Sequence, residues 1–310
     1  MTDGLKGWLQ RGAAGLMVAV LACVLGGCSF GTPPLSEAEE ETPEQVVDDA
    51  LLVQPGTLTV ALDTGDLPQV MIDEDGYYVG YSIDVASELA DSLGLKLAIV
   101  HSVSPQDAIE SGEADIYLGA TARDQSDGIV VLGEYLQNAT AIFGIGGSSS
   151  EALTADDLAQ ATIGVQGGKA SQEALARIGI ATNSTYDTVN DCFDALAAGE
   201  VDYVACDATA GAYLARTYEG VYFAGTISAS TSYGIAYDSS ATELSDAVGA
   251  ALDEMSGDGT LDAIHVMWYG DLPLNLSSEL ISGVTIAEES GSSDEDTEAG
   301  EEDHSDINDY

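Results

Sequence analysis

Positively charged residues are scarce in this 310-residue chain, which has seven Lys and Arg against 54 Asp and Glu and a formal net charge of −47. This scarcity excludes nucleic acid as a partner, because phosphate binding needs clustered cations. It also argues against electrostatic docking on anionic lipid. Two explanations fit so large an excess of acidic residues: repulsion that keeps the molecules apart in solution, and adaptation to high salt.

Cysteine and histidine are also few, with four Cys and three His in the whole chain. His101, His265 and His304 lie far apart, and none has a second Cys or His at metal-ligand spacing. A structural zinc site is therefore not expected, and nothing in the sequence calls for a cofactor. The hydrophobic fraction of 45% with 35 Gly fits a globular core, so the chain as a whole is not disordered.

The N-terminal segment has the parts of a secretory signal. Lys6 and Arg11 precede an apolar run over 13–25, which is too short to span a bilayer comfortably. The run ends in Leu-Gly-Gly-Cys at 25–28, and this sequence resembles a bacterial lipobox. The resemblance implies a signal peptide over 1–27, a lipid-modified Cys28 as mature N-terminus, and anchoring on the outer face of the cell membrane. An ordinary cleaved signal or an uncleaved anchor is the alternative.

Three regions follow the signal. Residues 28–54 carry seven acids and three prolines, which predicts a solvated acidic tether. Residues 285–310 carry eleven acids among Ser, Gly and Thr, which predicts a disordered tail. Between them, strand and helix signals alternate, with Ser82 predicted to cap a helix over 83–93. This alternation predicts an α/β fold with parallel sheets and ligands at the carboxyl ends of the strands.

Six motifs in the core occur in the order found in a known protein family. They are Leu-Thr-Val-Ala-Leu-Asp (58–63), Gly-Tyr-Tyr-Val-Gly-Tyr-Ser-Ile-Asp (76–84), Ser-Gly-Glu-Ala-Asp (111–115), Asp-Asp-Leu with Ile-Gly-Val-Gln-Gly-Gly (156–158 and 163–168), Gly-Glu-Val-Asp-Tyr-Val-Ala-Cys-Asp (199–207), and Asp-Gly-Thr-Leu with Trp-Tyr-Gly (258–261 and 268–270). Together they resemble the bacterial extracellular solute-binding proteins of family 3, the amino-acid receptors of ABC importers.

This resemblance implies a two-lobed, type II periplasmic-binding-protein-like fold with two sheets joined by two crossover strands. The crossings are expected near 139–144 and 226–233. Lobe one is expected at 55–138 plus 234–271, and lobe two at 144–226. The implied protein is a monomeric, lipid-anchored receptor that holds a small zwitterionic solute between the lobes. It would deliver that solute to an ABC permease and its ATPase.

The resemblance also implies ligand-binding residues in both lobes. Asp207 is expected to pair with a ligand's α-amino group, although an N-cap role for the following helix is an alternative and both roles are compatible. In lobe one, Arg123 is expected to clamp an α-carboxylate from a loop that includes Gly119 and Thr121. A surface Arg is the alternative, because Arg123 falls about two residues early against the family pattern.

Lobe two also offers an anion site where a glycine-rich turn opens a helix. Free backbone N–H groups at a helix N-terminus attract negative charge, and glycine lets a ligand come close. The residues of this predicted site are Gly168, Lys169, Ala170 and Ser171. For Lys169, a solvated side chain beside the cleft is the alternative.

One departure from the family concerns residues 63–70, where aromatic residues often enclose the ligand and none is present here. Tyr77, Tyr78, Tyr81, Tyr117 and Tyr135 are alternative sources of rings. Two further functions stay open: an enzyme on the same fold, similar to cyclohexadienyl dehydratase, and a sensing lipoprotein without transport. A non-enzyme is favoured, because the sequence shows no recognisable catalytic constellation.

The cysteines that remain in the core are Cys192 and Cys206. A helix and a strand lead away from the turn at Gly199 and separate them by more than a disulfide can span. The spacing therefore predicts two free thiols.

Overall fold

The computed structural model describes residues 44–146, 152–180 and 184–286. Cys28 and its lipobox lie outside the described residues. So does most of the predicted tail, of which only Thr285 and Ile286 are described. No helix within the described ranges is long and apolar enough to cross a membrane.

Strands and helices alternate over most of the described chain. The strands are β1 (Thr57–Leu62), β2 (Met71–Ile72), β3 (Tyr78–Val79), β4 (Lys96–His101), β5 (Ile116–Ala120), β6 (Ile129–Asn138), β7 (Thr140–Ile145), β8 (Ile163–Gln166), β9 (Ser184–Tyr186), β10 (Tyr203–Asp207), β11 (Val221–Thr226) and β12 (Thr231–Asp238). The α-helices are α1 (Tyr81–Ser92), α2 (Pro105–Glu110), α3 (Ala155–Gln160), α4 (Ala170–Arg177), α5 (Val189–Ala198), α6 (Ala208–Ala215), α7 (Thr242–Asp258) and α8 (Thr260–Tyr269).

Two five-stranded sheets organise the described residues and confirm the predicted α/β class. The first has the order β4-β1-β5-β12-β6, and the second β11-β7-β10-β8-β9. We call the elements on the first sheet lobe one and those on the second sheet lobe two. The second sheet begins at Thr140, so Ala139 alone joins β6 to β7 and the first crossing is shorter than predicted. The second crossing runs over 227–230, between β11 and β12.

Each sheet is mixed rather than wholly parallel, which corrects the expectation from helix–strand alternation. β1 pairs in parallel with β4 and β5, and β8 pairs in parallel with β9 and β10. By contrast, β12 pairs antiparallel with β5 and β6, while β7 pairs antiparallel with β10 and β11. In these two sheets, every antiparallel pair contains β7 or β12, the strands that follow the two crossings.

The predicted tether ends earlier than residue 54, because residues from 44 onward pack on lobe one. Val47 and Leu52 are buried in the hydrophobic core. Val53 N–H donates to the buried Asp115 carboxylate at 2.7 Å, and Val46 N–H donates to the carbonyl of Leu93 at 3.0 Å. Apolar side chains and backbone hydrogen bonds therefore override the acidic composition of this stretch.

A third connection between the lobes follows α8 and was not predicted. Residues 271–286 leave lobe one and reach lobe two, where Ile281 and Val284 join its buried cluster. Thr226 N–H donates to Glu279 O at 2.7 Å, and Ile281 N–H donates to Thr226 O at 2.9 Å. We call residues 271–286 the C-terminal strap.

Gly80 sets the start of α1 and the position of the preceding loop. The N-cap of this helix is Gly80, with φ of 141°, and not the predicted Ser82, which lies inside the helix. A Cβ at Gly80 would meet the backbone of Gln69 and lie 3.0 Å from Pro68 O. Ser82 N–H donates to Gln69 O at 3.0 Å. Glycine therefore allows the loop after β1 to lie directly on the helix end.

Candidate functional site

The carboxyl ends of the parallel strands in both lobes point toward the crossings. In lobe two, Asp207 at the end of β10 pairs with Thr140, the first residue of β7 after the crossing. In lobe one, Ala120 at the end of β5 pairs with Gly234 near the start of β12. Ligands of α/β folds bind at such strand ends. We call the region between these two edges the cleft.

Asp207 lies at the lobe-two edge of the cleft, and three donors hold its carboxylate. Asn138 Nδ2 donates to Oδ2 at 2.6 Å, and Thr209 Oγ1 donates to Oδ1 at 2.8 Å. Ala210 N–H donates to Oδ1 at 3.3 Å, so Asp207 is the N-cap of α6. A carboxylate has about four acceptor positions, which leaves room for a ligand donor on this exposed side chain.

A buried hydrogen bond joins the lobes beside Asp207. Gln69 of lobe one donates from Nε2 to Thr209 Oγ1 of lobe two at 3.0 Å. Both side chains are buried, at 3% and 0% exposure. The carboxylate of Asp207 accepts only, so the Thr209 hydroxyl gives its proton to Asp207 and accepts from Gln69. A chain of hydrogen bonds therefore runs from lobe one through Thr209 to the predicted ligand acid.

The loop after β1 brings two further acids to the cleft, which sequence reasoning did not select. The pKa of Asp66 is raised to about 6, first by burial among protein atoms and then by the charges of Asp207 and Asp63. Asp66 is nevertheless exposed to solvent by its accessible surface, so solvent screening weakens these effects. The signal was present in the sequence, since Asp63 and Asp66 occupy the stretch where the family often has aromatic residues.

Two tyrosines lie close to these acids. Burial raises the pKa of Tyr233, and the charges of Asp207 and Asp66 raise it further. Burial likewise raises the pKa of Tyr117, together with the charges of Asp63, Asp124 and Asp66. Tyr117 was among the predicted sources of rings, whereas Tyr233 was missed.

Of the other candidate tyrosines, two lie in the core and two at the surface. Burial raises the pKa of Tyr135, and the charge of Asp66 adds to the increase. Tyr81 and Tyr135 are buried in the core, where their rings stack with centroids 6.0 Å apart, and Tyr81 Oη donates to the Tyr135 carbonyl at 2.7 Å. Tyr77 and Tyr78 lie exposed around the β2–β3 turn. Tyr81 and Tyr135 therefore contribute to core packing, whereas Tyr77 and Tyr78 lie at the surface.

The predicted carboxylate clamp of lobe one forms a compact turn. Gly119 has φ of 97°, and Thr121 caps a short 3₁₀-helix over Ala122–Asp124 that contains the exposed Arg123. Thr121 N–H and Oγ1 both donate to Asp124 Oδ2, at 2.7 and 2.9 Å. The donors of Thr121 are therefore held by a carboxylate of the chain itself.

The predicted anion site of lobe two lies at the start of α4. Lys169 is at the N-cap position, and its side chain is exposed. Gly168 N–H donates to Gln172 Oε1 at 2.9 Å, while Ser171 is buried. Because β8 and β10 are parallel neighbours, this turn shares a sheet edge with Asp207. Ala170 is the first residue of α4 and is exposed.

Comparison with known proteins agrees with this architecture. The sequence pattern of "bacterial extracellular solute-binding proteins, family 3" matches residues 58–143. An ancestral cationic amino acid solute binding protein is 25% identical, with a TM-score of 0.59 over 69% of this chain and 96% of that one. A polar amino acid ABC uptake transporter substrate binding protein from Streptococcus thermophilus is 18% identical, with a TM-score of 0.63 over 73% and 90%.

The L-cystine solute receptor of Neisseria gonorrhoeae, in its unliganded open conformation, is 19% identical, with a TM-score of 0.60 over 72% of this chain and 94% of that one. These chains share the two-lobed type II architecture. The sequence pattern, the two mixed sheets and the cleft at their crossings lead to one assignment: this chain belongs to the bacterial extracellular solute-binding proteins of family 3.

Proposed function

We propose that this protein is a receptor that captures a small zwitterionic solute, an amino acid or a close relative, in its cleft. The observation that carries the proposal is Asp207, an exposed carboxylate held by three donors at the point where the chain crosses between lobes. Such a fixed acceptor makes a strong charge-assisted hydrogen bond with an ammonium group. The N-terminus of α4 at Lys169–Ser171 and the Arg123 guanidinium supply candidate donors for the carboxylate.

A thermal-shift screen of amino acids, amines and small organic acids tests this proposal, followed by calorimetric titration of each hit. A true ligand raises the melting temperature with its concentration, because it binds only the folded state. Mass spectrometry of the incubated ligand should show no conversion, which separates a receptor from an enzyme on the same fold. The absence of any stabilising amino acid or amine would contradict the proposed ligand class.

We further propose that Cys28 carries lipid and holds the protein on the outer face of the cell membrane, from where it delivers its solute to an ABC permease and ATPase. The support is the lipobox-like Leu-Gly-Gly-Cys sequence after a short apolar run. Cys28→Ser should release the protein into the medium or leave an unprocessed precursor. An intact mass that places the mature N-terminus elsewhere would contradict the anchor.

Transport and sensing are separated by a second experiment. Deletion of the gene should abolish uptake of the identified ligand in its radiolabelled form if the receptor serves an importer. Normal uptake in the deletion strain, with a changed transcriptional response to the ligand, would instead favour the sensing lipoprotein.

A further inference from the structure

The first part of the C-terminal strap is anchored on lobe one. The His265 ring N–H at Nε2 donates to Leu272 O at 2.8 Å, and Leu276 N–H donates to Gln137 Oε1 at 2.8 Å. His265, Leu272 and Leu276 are all buried. Two apolar side chains of the strap therefore pack in the core, and hydrogen bonds tie the strap to α8 and β6.

The last part of the strap is anchored on lobe two. Thr226, the last residue of β11, donates its N–H to Glu279 O at 2.7 Å and accepts from Ile281 N–H at 2.9 Å. Ala155 N–H, at the start of α3, donates to Ser282 O at 2.9 Å. Together with the buried Ile281 side chain, these bonds fix the strap to two elements of lobe two.

Gly225 provides the space that the lobe-two anchor needs. Its φ is 137°, and the pairing of β11 with β7 shifts register between Phe223 and Gly225. A Cβ at Gly225 would lie 2.7 Å from Ile281 Cγ1 and 3.0 Å from Glu279 O. Any larger residue would push the strap away. The strap position therefore depends on a glycine in β11.

Only two residues, Ser277 and Ser278, join the two anchors, and we call them the link. Both are exposed, and Glu279 N–H donates to Leu276 O at 3.1 Å, so the link is a tight turn. The ends of such a turn lie within about 7 Å, whereas the same residues fully extended span about 11 Å. The two anchors can therefore move apart by only about 4–6 Å before the link is taut.

The link lies beside the two crossings. Ser277 Oγ is 3.2 Å from the Oγ of Ser230 in the second crossing. Gln137, which holds the strap on lobe one, lies two residues before Ala139 of the first crossing. Three short connections therefore pass between the lobes in one region of the molecule, and the third restricts how the lobes move against each other.

From these contacts we propose that the strap is a third hinge segment, which limits how far the cleft opens. The lobes rotate about the line of the three connections, whereas separation and twist stop when the link is taut. The motifs that resemble the family end at Gly270, so the strap lies outside them. The inference goes beyond ligand capture and holds for any solute that the cleft takes.

Lengthening the link tests the inference without a ligand. In the full-length chain with Cys23→Ser and Cys28→Ser, Ala176→Cys on α4 and Ala250→Cys on α7 place spin labels on exposed residues of the two lobes. Double electron–electron resonance then measures the interlobe distance. Inserting Gly-Ser-Gly-Ser in the middle of the link adds up to about 13 Å of reach, so the distance distribution should widen or shift by about 3 Å or more.

The same four residues inserted between Thr285 and Ile286 are the matched control. They lie beyond the lobe-two anchor and leave the length between the anchors unchanged, so the wild-type distribution should remain. A link insertion that melts cooperatively and also keeps the wild-type distribution would overturn the inference. The proposed capture of a solute would still stand in that case, because it does not depend on the strap.

Gly225→Ala tests the same restraint from lobe two. The new Cβ should displace Ile281, so that the Ile281 N–H exchanges rapidly with deuterium and the interlobe distribution widens. Gly220→Ala is the control, because Gly220 also has a positive φ, of 78°, but its Cβ would meet no atom closer than 3.8 Å. Rapid exchange at Ile281 with an unchanged interlobe distribution would also overturn the inference.

Discussion

The Gln69 amide and the Thr209 hydroxyl come from different lobes and share a buried hydrogen bond of 3.0 Å. Thr209 also donates to Asp207, so the position of this proposed ligand-binding acid depends on a contact made by lobe one. Domain closure in receptors of this architecture is a shift between arrangements of the lobes. The Gln69–Thr209 bond therefore links the position of the Asp207 side chain to the relative placement of the lobes.

Thr209→Val removes the hydroxyl while keeping the shape of the side chain. We expect the free energy of unfolding to fall by about 1–3 kcal/mol, because Gln69 Nε2 is left buried without an acceptor and Asp207 loses a donor. Denaturant titration measures the change. Thr209→Ser, which keeps the hydroxyl, is the control and should lose less; an unchanged stability of the Val variant would contradict the importance of the bond.

Substitutions of Asp207 separate its two roles. Asp207→Asn keeps an oxygen that accepts from Ala210 N–H but removes the charge, so ligand affinity should fall by about 100-fold. The melting temperature should also fall modestly, because the new NH2 group faces the Nδ2 donor of Asn138. Asp207→Ala should lose both affinity and about 1 kcal/mol of stability, because it also removes the cap. Calorimetric titration and thermal melts provide the two readouts. Wild-type affinity in both variants would refute the assignment of Asp207 to the ligand.

The raised pKa of Asp66 predicts a defined pH dependence of stability in the ligand-free protein. Between its ordinary value near 4 and about 6, the folded state binds more protons at Asp66 than the unfolded state does. The free energy of unfolding that Asp66 contributes therefore decreases as pH rises through this window. Above the window the contribution stays unfavourable. Asp66→Asn should stabilise the protein at pH 7.5 by on the order of 1 kcal/mol, since solvent contact screens the effect.

The same substitution should have almost no effect at pH 4, where Asp66 is protonated in the folded protein. Thermal melts of both proteins across this pH range test the prediction. A stability difference that stays constant from pH 4 to pH 7.5 would show that Asp66 does not titrate in the folded state with a raised pKa.

The two described cysteines are free and buried, as the spacing argument predicted. Burial raises the pKa of Cys192 to about 11 and that of Cys206 well above its ordinary value, so neither forms much thiolate at neutral pH. Alkylation followed by peptide mapping should label both residues only after denaturation. Rapid labelling of either residue in the native protein, or a disulfide between them, would contradict this description.

The C-terminal strap should contribute strongly to the stability of lobe two. Ile281 is 4% exposed within the lobe-two cluster, and Ile281→Ala should cost about 2–4 kcal/mol through the cavity that it leaves. The neighbouring Leu280 is 37% exposed, so Leu280→Ala is a matched control that should cost much less. Denaturant titration measures both changes. Equal decreases in the free energy of unfolding for the two variants would contradict the packing of Ile281 in the lobe-two cluster.

Asp207 could be selected from the sequence because it ends the Gly-Glu-Val-Asp-Tyr-Val-Ala-Cys-Asp motif (199–207) that resembles the family, and the apolar residues before it predict a strand. Asp66 was not selected, because the sequence shows the acid but not that the charge of Asp207, 141 residues later, acts on it. Ser82 was a reasonable cap by residue type, yet the close approach of Gln69 to Gly80 moves the helix start to the glycine. Cap preference is local, whereas that approach is a tertiary contact.

The strap was missed for a related reason. Residues 271–286 show neither strand nor helix periodicity, and they attach to lobe two through two isolated bridges, Thr226 with Leu280 and Thr154 with Ser282. Such contacts depend on where the lobes lie and leave no pattern along the chain. The order of the strands was similarly unpredictable, because alternation of elements does not reveal which strands cross between sheets.

The path of the strap puts the two ends of the described chain on different lobes. Glu44 precedes the stretch that packs on lobe one, whereas Ile286 is the last residue of the strap, which packs on lobe two. Any rotation of one lobe against the other therefore changes the separation of these ends. A donor and acceptor dye attached at Gln45 and Thr285 would convert ligand capture into a change in fluorescence energy transfer, with both labels outside the cleft.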